Sequence, residues 1–146
     1  MSKHLAIAEA VKALVKTALP IATVRGMDLD EAKPAAIGEL GQAIVRSGDP
    51  GEPEVDLSPP TWWYERSFPV ELASYDEPAR TAQQVLAEMA KLVGDAIEAD
   101  RYLGGLCSWL DASAPADGET DLRGAKPIGW CDFTIIVSYS TTSPLG

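Results

Sequence analysis

The chain has 146 residues, 46% of them hydrophobic, and a formal charge of -10. This length buries a core without disulfide or metal staples and fits one domain over residues 1–146; the composition excludes a disordered chain, and no apolar run approaches the ~20 residues that cross a bilayer. The acidity, with no run among the twelve Lys and Arg, argues against a protein that holds nucleic acid by its phosphates and suits a surface past which DNA slides without sticking.

Residues 3–18 predict a helix. Ile7, Val11, Leu14, Val15 and Ala18 form one apolar stripe, Ser2 is placed as N-cap, and Pro20 ends the helix. Glu9, Lys12 and Lys16 break the stretch, so it reads as an amphipathic helix of a soluble protein and not as a signal peptide. Ile21–Val24 predicts a short extended segment, and Met27–Pro34 a polar connection. Residues 35–46 are read as a bent or bulged strand, because Gly38 and Gly41 disfavour a helix interior.

Residues 47–60 form a first acidic loop, carrying Asp49, Glu52, Glu54 and Asp56 with four prolines and no cation. Two readings stand: a solvated insertion, or an extended arm that reaches a neighbouring subunit. Trp62–Leu72 alternates as a strand, with Trp62, Tyr64, Arg66, Phe68, Val70 and Leu72 on one face. Pro69, on the other face, predicts an edge or a bulge. Arg66 either snorkels outward from the apolar face or contacts another subunit. Adjacent Trp62 and Trp63 point to opposite faces. One enters the core; the other meets a second helix or a partner protein.

The most regular helix runs from about Pro78 to Asp100, with Val85, Leu86, Met89, Val93 and Ile97 on one stripe. Gly104-Gly105 turns the chain into a strand through Leu106, Cys107, Trp109 and Leu110. Residues 111–124 form a second acidic loop with Asp117, Glu119 and Asp121. Pro127–Thr141 is the strongest strand, with Cys131, Phe133, Ile135, Val137 and Tyr139 on its apolar face. The fold class is therefore α+β: a mixed, mainly antiparallel sheet of four to five strands flanked by two main helices.

Chemistry is sparse. The single histidine, His4, sits on a terminal helix, and Cys107 would need it as a base. Cys107 and Cys131 are read as buried free thiols. Two Cys and one His fall short of a zinc set, and the 117–121 acids lack calcium-loop spacing. No catalytic, metal or cofactor residues are assigned. The candidate contact residues are Trp62, Trp63, Arg66, Asp49, Glu52, Glu54, Asp56, Asp117, Glu119 and Asp121.

The segments Glu65-Arg66-Ser67-Phe68-Pro69-Val70-Glu71, Ala96-Ile97-Glu98-Ala99-Asp100, Leu103-Gly104-Gly105-Leu106, Gly124-Ala125-Lys126-Pro127-Ile128 and Ile135-Ile136-Val137-Ser138-Tyr139-Ser140-Thr141 together resemble the tail terminators of long-tailed bacteriophages, the lambda minor tail protein U-like family. The resemblance covers roughly residues 60–142, and the 35–60 segment departs from it in length and acidity. It implies a homo-oligomeric ring, a hexamer, that caps the tail tube, ends its polymerisation and offers a surface for head-tail joining. It further implies contact with the tail tube protein and the head-tail connector, DNA passing through without specific binding, no membrane, no cofactor and no enzyme activity. The place would be the virion tail, assembled in the host cytoplasm. The alternatives are a neck or tail-completion protein and, more remotely, a small acyl transferase using Cys107.

Overall fold

The computed structural model describes residues 2–26, 41–118 and 127–145. Two helices and seven strands appear among them: α1 (Lys3–Ala18), β1 (Thr23–Gly26), β2 (Gln42–Val45), β3 (Glu54–Leu57), β4 (Pro60–Ser74), α2 (Ala82–Ala99), β5 (Trp109–Ala112), β6 (Ala116–Asp117) and β7 (Gly129–Thr141). The strands form one mixed sheet in the order β1-β2-β4-β7-β5. β3 prolongs the β2 side of β4, and β6 pairs with β7. Among the described strands only β1 and β2 run parallel.

The spine is the β4–β7 ladder, paired without a break from Trp62 opposite Thr141 to Ser74 opposite Gly129. Alternation puts Phe68, Val70 and Leu72 of β4 on the face that also bears Phe133, Ile135 and Val137 of β7. The stripes Ile7–Val11–Val15 of α1 and Val85–Leu86–Met89–Val93–Ile97 of α2 complete this core. Both helices cover the same face. On the opposite face Ile44, Ala73, Ile128 and Trp130 form a small second cluster. It lies at the end of the ladder where β4 finishes and β7 begins.

The α+β class and the two helices follow the sequence reading, and several boundaries move. Four to five strands were expected. Five form the main path, and β3 and β6 are the additions. The extended segment at Ile21–Val24 becomes β1, two residues later. α2 begins at Ala82 instead of Pro78, because Thr81 is its true cap. Thr81 Oγ1 accepts from the Gln84 amide at 3.3 Å and the Gln84 side chain accepts from the Thr81 amide at 2.9 Å, a reciprocal capping box. Ser2 does stand at the N-cap of α1, with no side-chain cap bond. The strand expected from Leu106 starts only at Trp109, since Leu103–Gly105 forms a 3-10 turn.

Pro69 was expected at an edge or bulge; it is no edge, being flanked on both sides, and two residues away Gly48 and Asp49 both oppose Ser67, as in a bulge. Pro69 pairs with Thr134 of β7, and its carbonyl accepts from the Arg46 amide at 2.8 Å. Lacking an N–H, it returns no bond to that neighbour. Here the strand beside β4 changes from β2 to the 46–49 segment, so the missing donor falls at a seam. The loop expected at 111–124 is in part sheet, with Asp111 and Ala112 in β5 and Asp117 in β6. The expectations for 27–34, 35–40 and 119–126 lie outside the described residues.

Candidate interaction surface

The 47–60 segment, expected as a loop or an arm, runs antiparallel along β4. Gly48 N–H donates to the Ser67 carbonyl at 2.9 Å, and Ser67 N–H donates to the Asp49 carbonyl at 3.3 Å. Gly48 is required there: a Cβ at that position would lie 2.4 Å from the Ser67 carbonyl oxygen. A turn follows in which Asp49 Oδ1 accepts from Gly51 N–H at 2.7 Å, and Gly51 adopts a φ of +70°. β3 then pairs with the start of β4, Glu54 opposite Trp63 and Leu57 opposite Pro60. The connecting Ser58–Pro59 peptide is cis. The result is a hairpin arm at one end of the sheet.

All four β3 residues are exposed, Leu57 at 83% and Val55 at 44%. No strand covers the outer edge of β3 among the described residues, which leaves a row of unpaired backbone groups. Alternation divides the arm. Val55 and Leu57 share the helix side with Trp62, while Glu54 and Asp56 share the open side with Trp63. Trp63 is 42% exposed and donates from Nε1 to Asp56 Oδ2 at 2.9 Å. Of the two readings for the exposed tryptophan, a second helix over that face is not found among the described residues. Glu52, Glu54, Asp56 and Glu65 line an open groove of about 680 Å³ beside the Trp63 ring.

Trp62 is half-buried at the arm's base, opposite Thr141. Arg66 spends its donors inside the chain: Nε reaches the Tyr139 hydroxyl at 3.1 Å and Nη1 the Gly48 carbonyl at 3.5 Å. Tyr64 stacks on Tyr139 with ring centroids 5.4 Å apart, and its hydroxyl donates to the Pro144 carbonyl. These contacts hold the arm's base and the C-terminal segment together. Asp117 lies at the other end of the sheet, paired with Cys131. Along β7 that is about 30 Å from the arm, at ~3.3 Å per residue. The fold therefore groups Asp49, Glu52, Glu54 and Asp56, adds Glu65, and leaves Asp117 apart. Glu119 and Asp121 lie outside the described residues.

Cys107 and Cys131 are buried and unbridged. Burial pushes both thiols up, disfavouring the thiolate that a nucleophile needs. Cys107 Sγ faces the Arg101 carbonyl at 3.6 Å, while His4 borders a different cleft beside Tyr64, Arg66 and Tyr139. Among the described residues no helix is long and apolar enough to cross a membrane.

Sequence reasoning missed a second surface. The second half of α1 and β1 carry Lys12, Lys16 and Arg25, while Lys3 lies at the other end of α1, where its Nζ donates to the Ser140 carbonyl at 2.8 Å, opposite Trp63. Lys12 Nζ donates to the Gly26 carbonyl at 3.3 Å, which draws that cation to the β1 edge. The signal was present as i,i+4 spacing of Lys12 and Lys16. Arg25 comes to the same end of the sheet through the return of the chain into β1, on the open face in register with Ile44.

No protein-family model matches the chain. No curated protein matches it. Among solved structures it is similar to the sheath/tube terminator of an extracellular contractile injection system, PVC, in the extended state. The TM-score is 0.46 and the identity 16%, over 92% of this chain and 55% of that one. The chain spans about half the length of that protein. At this level the likeness carries no functional conclusion, and it does not assign the chain to the lambda U-like family.

Proposed function

We propose that the protein is a structural subunit of a phage tail or tail-like particle, assembling as a ring that caps the tail tube and ends its polymerisation. The observation that carries this reading is the hairpin arm. It exposes Val55 and Leu57 on one face and Trp63 on the other, and its outer edge has no partner strand among the described residues. A subunit that keeps such an edge open covers it in an assembly. The tail-terminator resemblance of the 65–71, 96–100, 103–106 and 135–141 segments supplies the kind of assembly. Of the ten candidate contact residues, four fall on the arm's acidic stretch, and Trp62 and Trp63 stand at its return strand, as a contact surface would require.

In this reading the protein turns over no substrate and needs no cofactor, and the raised Cys107 thiol agrees with that. Its partners are further copies of itself, the tube protein and the head-tail connector. DNA passes the ring without specific binding, and the place is the virion tail after assembly in the host cytoplasm.

The first test is negative-stain microscopy of the purified full chain, in which closed rings with a central hole are expected. Discrete small particles at every concentration count against ring formation. Particles assembled without the protein separate its two structural readings. Over-long tails are expected for a terminator, whereas normal tails lacking heads would make it a neck protein.

A further inference from the structure

The acidic arm and the basic α1/β1 flank have opposite charge, and each exposes apolar side chains beside a strand edge that is unpaired among the described residues. We propose that they meet between copies: the β3 edge of one subunit docks on the α1/β1 flank of the next, head to tail. The inference rests on the assembly reading above and assigns its two contact surfaces.

The charges are segregated well beyond the overall balance of -10. From residue 47 to 65 the chain bears Asp49, Glu52, Glu54, Asp56 and Glu65 and no Lys or Arg. The flank formed by the second half of α1 and by β1 bears Lys12, Lys16 and Arg25 and no carboxylate. A uniformly acidic surface would repel its own copies; this distribution gives two copies one favourable orientation.

On the open face the match is between Glu54, Asp56 and Arg25, whereas Lys12 and Lys16 belong to α1 on the helix side of the sheet. Arg25 pairs in register with Ile44, a member of the second cluster, so it stands on the open face of the sheet. Glu54 and Asp56 stand on that face of β3 through their pairing with Trp63 and Thr61. When β3 lies along β1 with the open faces aligned, the carboxylates come beside Arg25. Val55 and Leu57 then come to the helix side, the side on which Ala22 and Val24 pack against the main core; Ile21, just before β1, is 71% exposed. Among the described residues each edge has one paired side only, β3 to β4 and β1 to β2. Strand addition satisfies both rows of backbone groups at once. Because the arm and the flank are different surfaces, the contact is heterologous, and repeating it closes a ring or extends a filament.

The test uses charge reversal on the full-length chain. One variant carries Glu54→Lys and Asp56→Lys, the other Arg25→Glu. All three residues are exposed, and circular dichroism checks that each variant folds. Mass is read by light scattering at tens of micromolar, at low and high salt. The expected result is an assembled wild type, a shift of each variant toward monomer by at least tenfold in association constant, and recovery of large assemblies when the two are mixed. Recovery follows because the lysine arm fits the glutamate flank and the native arm fits the native flank. Variants that assemble like the wild type overturn this pairing and leave the ring reading standing. A monomeric wild type overturns the pairing and counts against ring formation as well. A monomeric wild type that binds immobilised polylysine, with Glu54→Lys/Asp56→Lys losing that binding, assigns the arm to a different basic partner and overturns self-docking.

Discussion

Arg66 and Trp63 show how two positions on one strand divide between internal and external work. Arg66 lies on the apolar face, where an unpaired guanidinium would be costly, and the Tyr139 hydroxyl and Gly48 carbonyl accept its hydrogen bonds. Trp63 faces the other way and keeps 42% of its surface exposed. The cysteines lead to a pH prediction. Burial raises both thiols, so the folded state holds their protons above the pH at which unfolded thiols lose them, about 8.5. Their contribution to stability is whole below that pH and declines as pH rises above it. Urea midpoints measured from pH 7 to 10 are expected to fall above about pH 8.5. The fall should be shallower in the Cys107→Ala/Cys131→Ala variant, whatever its absolute stability; equal slopes would remove the thiols as the cause.

At the scale of elements, the β2–arm–β3 run is held along β4 by a few close backbone contacts. The closest passes at Gly48, where a Cβ would meet the Ser67 carbonyl oxygen at 2.4 Å. Gly48→Ala is therefore expected to push the arm off β4. The cost should be about 1–3 kcal/mol, with lost hydrogen-exchange protection at the Gly48 and Ser67 amides and weaker self-association. Retained protection at both amides would show that the backbone absorbs the methyl group locally. α2 is the contrasting case, because its cap and its stripe agree. The Thr81–Gln84 capping box fixes its start. The buried residues Val85, Leu86, Met89, Val93 and Ile97 fix the face it presents to the sheet. That agreement between local and tertiary signals made α2 easy to read and left only its first turn misplaced.

Across the whole molecule the core and the arm are separate in stability. Phe68 is fully buried at the centre of the β4–β7 ladder, whereas Trp63, on the same strand, lies outside both apolar clusters. Phe68→Ala is expected to destabilise the protein by about 3–5 kcal/mol in denaturant titration, and Trp63→Ala by about 0.5 kcal/mol. Assembly should respond in the opposite order, with Trp63→Ala weakening association while the subunit stays folded. A large loss of subunit stability with Trp63→Ala would place the arm within the cooperative core.

The sequence by itself determined the two helices, the β4 and β7 strands, the buried cysteines and the absence of a long apolar span. Each of these rests on a period or a run among near neighbours, and local spacing carries such a signal directly. Tertiary structure decided the rest. The acids at 49–56 became one wall of an arm because Gly48 and Gly51 let the chain run back along β4. Pro69 became internal because its missing donor meets a seam between two neighbouring segments. Asp117 was separated from the other acids by the length of the ladder. Arg25 reached the open face because it returns on β1 in register with Ile44, across the sheet from the lysines of α1. Pairing between distant segments sets these positions, and no local periodicity records which strand edge will be left open.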